Sequence, residues 1–180
     1  MQLENTREIL REFGKYVVKQ SRSNLSRGVK GRSRNVSKKL YSSIKYDILE
    51  YGKYIIMNFL MEDYGSFVDK GVSGTKRKYA TPFSYKSKKP PLKNILGWVK
   101  ARKFRFRDKK GKFTKGTYRN IAFVLQNSIY EKGFKPSLFF TRPFEIGLQR
   151  FREDIVDAFI KDIDAKLDLD DHLPGQIKKD

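Results

Sequence analysis

The sequence predicts an α+β fold: a β-hairpin or small antiparallel sheet packed against an N-terminal helix and a long C-terminal helix, with a helical and basic-hairpin insertion. Apolar residues recur at helical spacing at both ends of the chain, and two apolar segments between them have strand patterns. The length of 180 residues suits one domain. We place this domain at residues 1–168, with the insertion at about 75–135 and an acidic flexible tail at 169–180.

The first element is a helix predicted over residues 2–20. Its apolar face recurs every three or four residues, as in an amphipathic helix: Leu3, Thr6, Leu10, Phe13 and Val17. Residues 21–38 are rich in Ser, Gly, Arg and Lys and contain few apolar residues. This composition predicts a mobile loop.

A β-hairpin is expected next. "LYSSIKYDILE" alternates, with Leu40, Ile44, Tyr46 and Ile48 on one face, which predicts a half-buried strand. "YGK" predicts a turn, and "YIIMNFL" predicts a second and more fully buried strand over residues 54–60. A short helix follows around Tyr64, Phe67 and Val68, and Gly71 is its expected C-terminal stop.

The insertion begins after a loop at residues 72–91. Leu92, Ile95, Leu96 and Val99 predict a helix over about residues 92–103. "KFRFRDKKGKFTKG" predicts a basic hairpin around a "DKKG" turn. A further helix, with apolar residues from 121 to 129, is expected to end at Gly133.

The C-terminal part is an extended connector, "KPSLFFTRP", followed by a long amphipathic helix. Phe144, Leu148, Phe151, Ile155 and Phe159 predict this helix over about residues 142–167. Thr141 is the expected cap, and Pro143 suits the first turn.

Charge is distributed unevenly along the chain, whose formal net charge is +20. Residues 70–119 contain eighteen Lys and Arg and one acid, Asp108, whereas residues 152–180 contain nine acids and five bases. Such a basic surface attracts nucleic acid or an acidic partner, and a solvated face or a subunit contact explains it equally well. Opposite charges at two ends also suit head-to-tail contact between identical subunits.

The basic residues expected to contact nucleic acid or a neighbouring subunit lie in loops 21–39 and 75–91 and around hairpin 103–115, which are expected to order on assembly. They are Arg27, Lys30, Arg32, Arg34, Lys76, Arg77, Lys78, Lys88, Lys89, Arg102, Lys103, Arg105, Arg107, Lys109, Lys110 and Lys112. Phe104, Phe106 or Phe113 could stack on bases. We favour instead an ordinary strand whose Phe side chains face inward, and the role of the cations stays open.

No set of residues predicts catalysis, a metal or a cofactor, so we expect a protein that is not an enzyme. The absence of Cys excludes disulfides and thiolate metal sites, and the single His172 cannot build a metal site alone. "YGSFVDKGVSGT" lacks the spacing of a phosphate-binding loop and is interpreted as a corner in which Gly71 and Gly74 allow left-handed backbone. A nuclease built on Asp47, Glu50 and Lys53 is disfavoured because the two acids face opposite sides of their strand.

No membrane partner is expected either. The longest apolar run, "YIIMNFLM", is interrupted by Asn58 and is far shorter than the about 20 residues of a membrane span. The N-terminus mixes acids and bases and has no apolar signal core. These features predict a soluble intracellular protein.

The order of these segments resembles the neck or tail-completion proteins of tailed bacteriophages. That family has a "Tyr…Phe-Val-Glu-x-Gly" segment after a strand, and a "Pro-Phe-Leu-x-Pro-Ala" segment that opens the C-terminal helix. The matching residues here are Tyr64, Phe67, Val68, Asp69 (in place of Glu) and Gly71, followed by Pro136, Phe139, Phe140, Pro143 and Phe144 at looser spacing. The resemblance covers about residues 1–167.

The resemblance implies a structural virion protein, made in the cytoplasm of the bacterial host. It would form a homo-oligomeric ring that joins the capsid portal, or connector, to the tail and surrounds the DNA channel. Its partners would be itself, adjacent portal and tail proteins and packaged DNA. Tyr64, Phe67 and Val68 would pack under the hairpin, and the loop after Gly71 would be free to reach a neighbour. The alternative is a stand-alone basic nucleic-acid-binding protein.

Overall fold

The computed structural model describes residues 3–27, 37–51 and 54–171. Within these ranges it confirms the predicted α+β class, with three antiparallel two-stranded sheets that pair β1 with β2, β3 with β6 and β4 with β5. The elements, in chain order, are α1 (Glu4–Arg27), α2 (Lys39–Ser43), β1 (Lys45–Tyr51), β2 (Tyr54–Leu60), α3 (Gly65–Lys70), β3 (Val72–Ser73), α4 (Leu92–Ala101), β4 (Phe106–Arg107), β5 (Phe113–Thr114), α5 (Tyr118–Lys132), β6 (Gly133–Phe134) and α6 (Thr141–Asp171).

Helices α1 and α6 pack side by side in opposite directions. Thr6, near the start of α1, bonds to Asp162 near the end of α6, and Asn24, near the end of α1, bonds to the carbonyl of Phe139 just before α6. The buried residues between them are Phe13, Val17 and Phe151. Rings of the two helices meet edge to face or tilted at centroid distances of 5.8–5.9 Å, which adds to the free energy of apolar burial.

The β1–β2 hairpin covers one side of this helix pair. Its register pairs Lys45 with Leu60 and Tyr51 with Tyr54. Side chains alternate along a strand, so Met57 and Phe59 of β2 pack on the helices while Ile56 and Leu60 point away. Four of the seven residues of β2 are half-buried, against three of seven in β1, so β2 is the more buried strand, as predicted, although its outer face is largely exposed.

The N-terminal region differs from the prediction in two places. Helix α1 continues through Arg27, where a loop was expected from residue 21, because Leu25 extends the buried stripe into a cluster with Leu40, Ile44 and Phe139. Residues 39–43 form α2 instead of a strand. Leu40 and Ile44 are four residues apart, a spacing that fits a helical turn as well as one face of a strand.

The insertion has an apolar cluster of its own. Ile95 and Val99 of α4 pack against Ile121 and Ala122 of α5, and none of these four residues belongs to the other two buried clusters. The predicted helices, basic hairpin and stop at Gly133 are confirmed. Strands β3 and β6, which pair at the root of the insertion, were not predicted, because strands of two residues have no detectable period.

The long C-terminal helix is confirmed and runs from Thr141 to Asp171. The tail predicted at residues 169–180 therefore begins inside the helix, and residues 172–180 lie outside the described part of the chain. Among the described residues, no helix has the length and apolar character needed to cross a membrane.

Candidate functional site

The two segments that carry the resemblance are joined by one buried carboxylate. Asp69, at the end of α3, is only 3% exposed. Its Oδ1 accepts hydrogen bonds from the backbone amides of Phe140 (2.8 Å) and Thr141 (3.2 Å), and its Oδ2 accepts one from the Thr141 hydroxyl. Asp69 thus caps α6 at the position where Thr141 itself was the expected cap.

Backbone bonds extend this connection, which we call the Asp69 joint (Asp69 with residues 137–141). The Asp69 carbonyl accepts from the amides of Ser137 (2.9 Å) and Leu138 (3.0 Å), and the Ser137 hydroxyl donates to the carbonyl of Val68 (2.6 Å). Gly71 follows with a φ of 73°, and a Cβ there would lie 2.5 Å from the nitrogen of Pro136. Only glycine fits this position without strain, so the segment is a structural corner.

The aromatic residues of the two segments have different surroundings. Phe139 is 1% exposed in the cluster with Leu25, and Val68 packs against the same cluster. Phe140 and Phe144 pack in the core between α1 and α6, and Pro143 is also buried. Tyr64 and Phe67 are 41% and 42% exposed. The expectation that they pack under the hairpin is wrong, and the Phe67 ring instead contacts Phe83 at a centroid distance of 4.5 Å.

The loop after Gly71 is folded back onto the end of α5. Ser73 bonds to Phe83, and the amides of Thr75 and Lys76 donate to the carbonyls of Tyr130 and Glu131. The expectation of a free loop is therefore wrong for this segment. A Cβ at Gly74 would collide with the carbonyl of Glu131, so this glycine is required for close packing and not, as expected, for left-handed backbone.

Five of the predicted contact residues form a root group beside the second half of α5. Lys76 makes an ion pair with Glu131 at 3.0 Å, and Lys89 donates to the side chain of Asn127 at 2.8 Å. The guanidinium of Arg77 lies over the Tyr79 ring. The members of this root group, all exposed, are Lys76, Arg77, Lys78, Lys88 and Lys89.

Seven more form a tip group around the β4–β5 hairpin. They are Arg102, which is half-buried, and the exposed Lys103, Arg105, Arg107, Lys109, Lys110 and Lys112. Asp108, the acid of this stretch, builds the turn: its Oδ1 accepts from the amide of Lys112 at 2.8 Å, and its carbonyl accepts from the amide of Gly111 at 3.0 Å. Gly111 has a φ of 82°, as the turn requires.

The three Phe residues of this stretch divide between two faces. Phe104 and Phe106 pack against the insertion's cluster, as expected for inward-facing side chains. Phe113 does not follow this expectation, because its side chain is 58% exposed. The guanidinium carbons of Arg107 and Arg105 lie 4.3 Å and 5.6 Å from its ring centroid, within cation–π range.

The remaining predicted contact residues are Arg27 and three positions that the structure does not describe. Arg27 is exposed at the end of α1, and Lys30, Arg32 and Arg34 lie outside the described residues. An open groove of about 510 Å³, which was not predicted, is lined by Lys15, Lys19 and Arg22 together with Tyr41 and Tyr46. The helical spacing of its three cations could have revealed it. The Arg22 guanidinium donates to the carbonyls of Tyr41 and Ile44, so it also fixes α2.

The acidic residues considered for catalysis do not converge. Glu50 contacts Arg7 of α1 at 3.3 Å, whereas Asp47 pairs with Asn58 on the opposite face of the hairpin. Lys53 and His172 are outside the described residues, and so are the side chains of residues 168–171. The described part of the chain contains no group of three acids or histidines that could hold a metal ion.

The arrangement offers a corner that joins α3 to α6 and a basic surface that can bind polyanions. Comparison with known proteins finds no matching family model, no matching curated protein and no matching solved structure.

Proposed function

We propose that this chain is a structural, non-enzymatic virion protein of a phage neck, which forms a homo-oligomeric ring between the capsid portal and the tail. The Asp69 joint is the observation that carries this proposal. It brings together the two segments on which the resemblance rests, through hydrogen bonds to the carboxylate and the carbonyl of Asp69. The segment therefore has an architectural role and fixes the corner between the hairpin region and α6.

The outer face of the β1–β2 hairpin supports assembly. Tyr51, Tyr54, Ile56 and Leu60 are 59%, 73%, 43% and 53% exposed, and the register places all four on the same face. The same face also contains the Asp47–Asn58 pair, between Ile56 and Leu60. A two-stranded sheet is only marginally stable alone, and large apolar side chains exposed on one face are typical of an interaction site. We assign a second copy of this chain as the occupant of this face.

Charge complementarity is the reason for choosing a second copy. The basic insertion leaves the fold where α6 begins, and the acids of α6 are concentrated toward its other end. Residues 141 and 162 are separated by about 32 Å along the helix axis. Copies arranged head to tail would bring the basic end of one subunit to the acidic end of the next, and such a heterologous contact closes into a ring when its rotation permits.

The root and tip groups and Arg27 would then face the packaged DNA or an adjacent ring of the neck. Phosphates would be the counterions of the tip group, because Asp108, the acid of that hairpin, is bonded to backbone in its turn, whereas Lys76 of the root group is already paired with Glu131. Portal and tail proteins would be the flanking partners, in the virion.

Mass photometry of the purified chain tests this proposal, at low and high salt and with and without duplex DNA. We expect a discrete closed oligomer that persists at high salt. Ile56→Glu should shift the oligomer to monomer, because burying an unpaired charge in an apolar interface costs free energy. Val124→Glu is the control, because Val124 is 54% exposed on α5, and it should leave the oligomer unchanged. A chain that is monomeric alone, and that coats DNA only at low salt, would overturn the ring and favour the stand-alone nucleic-acid-binding protein.

A further inference from the structure

We propose that the outward face of the β4–β5 hairpin binds single-stranded nucleic acid, with Phe113 stacking on an unpaired base and Arg105 and Arg107 contacting the neighbouring phosphates. This inference goes beyond the proposed neck function and does not depend on ring assembly.

The exposure of Phe113 follows from the register of the hairpin. Phe106 pairs with Thr114, and Arg107 pairs with Phe113. Adjacent residues of a strand face opposite ways, so the Phe106 side chain enters the insertion's cluster while Arg107 and Phe113 point outward together. The packing of Phe106 therefore keeps the Phe113 side chain exposed to solvent. Packing within the described residues does not explain why an aromatic side chain lies at this position.

The face around Phe113 has the composition of a stacking site. Two guanidinium groups lie within 6 Å of the ring centroid, yet the side chain keeps 58% of its surface exposed. Within the described residues neither Arg105 nor Arg107 forms an ion pair with a carboxylate. Phosphate groups of a bound strand would neutralise these cations while a base covers the ring.

The hairpin is held in shape before any ligand binds. Asp108 and Lys112 exchange two bonds across the turn: the Asp108 amide donates to the Lys112 carbonyl at 2.9 Å, and the Lys112 amide donates to the Asp108 carboxylate at 2.8 Å. Arg107 donates to the carbonyl of Gly111 at 3.2 Å. A preorganised site loses less conformational entropy on binding, which favours affinity.

Geometry favours a single strand over a duplex. Bases in a duplex already stack on each other, so an aromatic side chain would first have to separate them, which is energetically unfavourable. A ribbon of two residue pairs is only about 7 Å long. Its outward face also presents an apolar ring, whereas readout in the major groove relies chiefly on hydrogen-bonding side chains.

The test measures fluorescence anisotropy of a labelled oligothymidylate and of a duplex of equal length, titrated with the full chain. We expect tighter binding of the single strand. Phe113→Ala should weaken binding of the single strand roughly 5- to 150-fold and leave binding of the duplex unchanged. Phe113→Trp should restore it. Phe123→Ala is the matched control, because Phe123 is 54% exposed on α5 without a cation–π partner in the described residues, and it should change neither affinity.

Phe113→Leu keeps the apolar bulk without the aromatic face, so it separates stacking from any effect on hairpin folding, and it should weaken single-strand binding like Phe113→Ala. The proposal is overturned if either variant binds the oligothymidylate as tightly as the unmodified chain, or loses both ligands by the same factor. It is equally overturned if the unmodified chain prefers the duplex or binds neither ligand. Mass photometry of Phe113→Ala should show the same oligomeric state as the unmodified chain, whether or not that chain forms a ring.

Discussion

At the residue scale, two buried aspartates perform the same task at opposite ends of the α1–α6 pair. Asp69 caps the start of α6, and Asp162 caps the start of α1 by accepting from the amides of Asn5 (3.0 Å) and Thr6 (2.8 Å) and from both of their side chains. Each carboxylate comes from a part of the chain that is distant in sequence, so it links two elements of the tertiary structure. It also accepts hydrogen bonds from amides that have no partner within their own helix.

Replacing Asp69 should destabilise the protein strongly. We expect Asp69→Ala to lower the free energy of unfolding by about 2–4 kcal/mol, because two backbone amides and a hydroxyl lose their acceptor in a buried site. Urea unfolding followed by circular dichroism measures this change. Asp63→Ala removes an exposed acid six residues earlier and should change the stability by less than about 0.5 kcal/mol. Equal effects of the two substitutions would contradict the capping role.

Asp162 should make stability depend on pH in the acid range. Burial alone would raise the pKa of this carboxyl, but the hydrogen bonds from Thr6 and Asn5 outweigh burial and lower its pKa. A lowered pKa in the folded state means that the carboxylate contributes stability above its unfolded pKa of about 4, and that this contribution is lost as the pH falls through the folded value.

We therefore expect Asp162→Asn to lower the free energy of unfolding by about 1–3 kcal/mol at neutral pH. The difference from the unmodified chain should shrink as the pH falls below about 4, because the unfolded chain then takes up a proton more readily than the native carboxylate does. It should be smallest below the lowered folded pKa, where the carboxyl is neutral in both states. Thermal unfolding across an acid pH series measures it, with Asp157→Asn, at an exposed position of the same helix, as the control. A difference that stays constant with pH would exclude a role for the charge.

At the scale of elements, the insertion is a small unit with its own apolar cluster. α4 and α5 bury Ile95, Val99, Ile121 and Ala122 against each other, and Phe104 and Phe106 pack at the edge of this cluster. The β3–β6 pair ties it to the main core, and the bonds from Thr75 and Lys76 to the end of α5 close the insertion at its root. Its unfolding should therefore be separable from that of the α1–α6 pair.

Ile95→Ala tests this independence. It should cost about 2–4 kcal/mol in the local stability of the insertion, because it leaves a cavity in a small cluster. Hydrogen exchange followed by mass spectrometry should show faster exchange in α4 and α5 and unchanged exchange in α1 and α6. Val124→Ala, at an exposed position on α5, should leave exchange in all four helices unchanged. Faster exchange throughout the chain would mean that the insertion and the main core unfold as one unit.

At the scale of the whole molecule, charge is separated along the chain's long helix pair. The basic insertion is joined to the main core just before α6 begins, Arg27 ends α1 near the same place, and the acids of α6 are concentrated toward its other end. Such a separation directs a polyanion to one end of the molecule.

Replacing Lys109, Lys110 and Lys112 with Gln should therefore reduce the salt dependence of nucleic-acid binding. The slope of log affinity against log salt should become shallower by up to about 2.7 for a duplex, since each phosphate contact contributes about 0.9. Anisotropy titrations over a salt series measure this slope. Lys161→Gln combined with Lys166→Gln removes two exposed cations from the acidic end of α6 and should leave the slope unchanged. Equal changes in both variants would show that binding is not confined to the insertion.

The sequence by itself determined the fold class, the positions of α4, α5 and α6 and the pairing of two hairpins. These elements depend on local periodicity and turn chemistry, which are readable over windows of ten to twenty residues. Local pattern also placed Phe104 and Phe106 inward correctly. It failed for α2, because Leu40 and Ile44 suit a helix or a strand equally.

Only the tertiary structure decided the roles of Asp69, Asp162 and Phe113. The hydrogen-bond partners of Asp69 are 71 and 72 residues away, and those of Asp162 are 156 and 157 residues away. No local pattern specifies partners at such separations, since many polar residues could serve equally well. Phe106 and Phe113 lie on the two paired strands of one hairpin but on opposite faces, and the packing of the insertion's cluster against one of these faces decides which ring is buried.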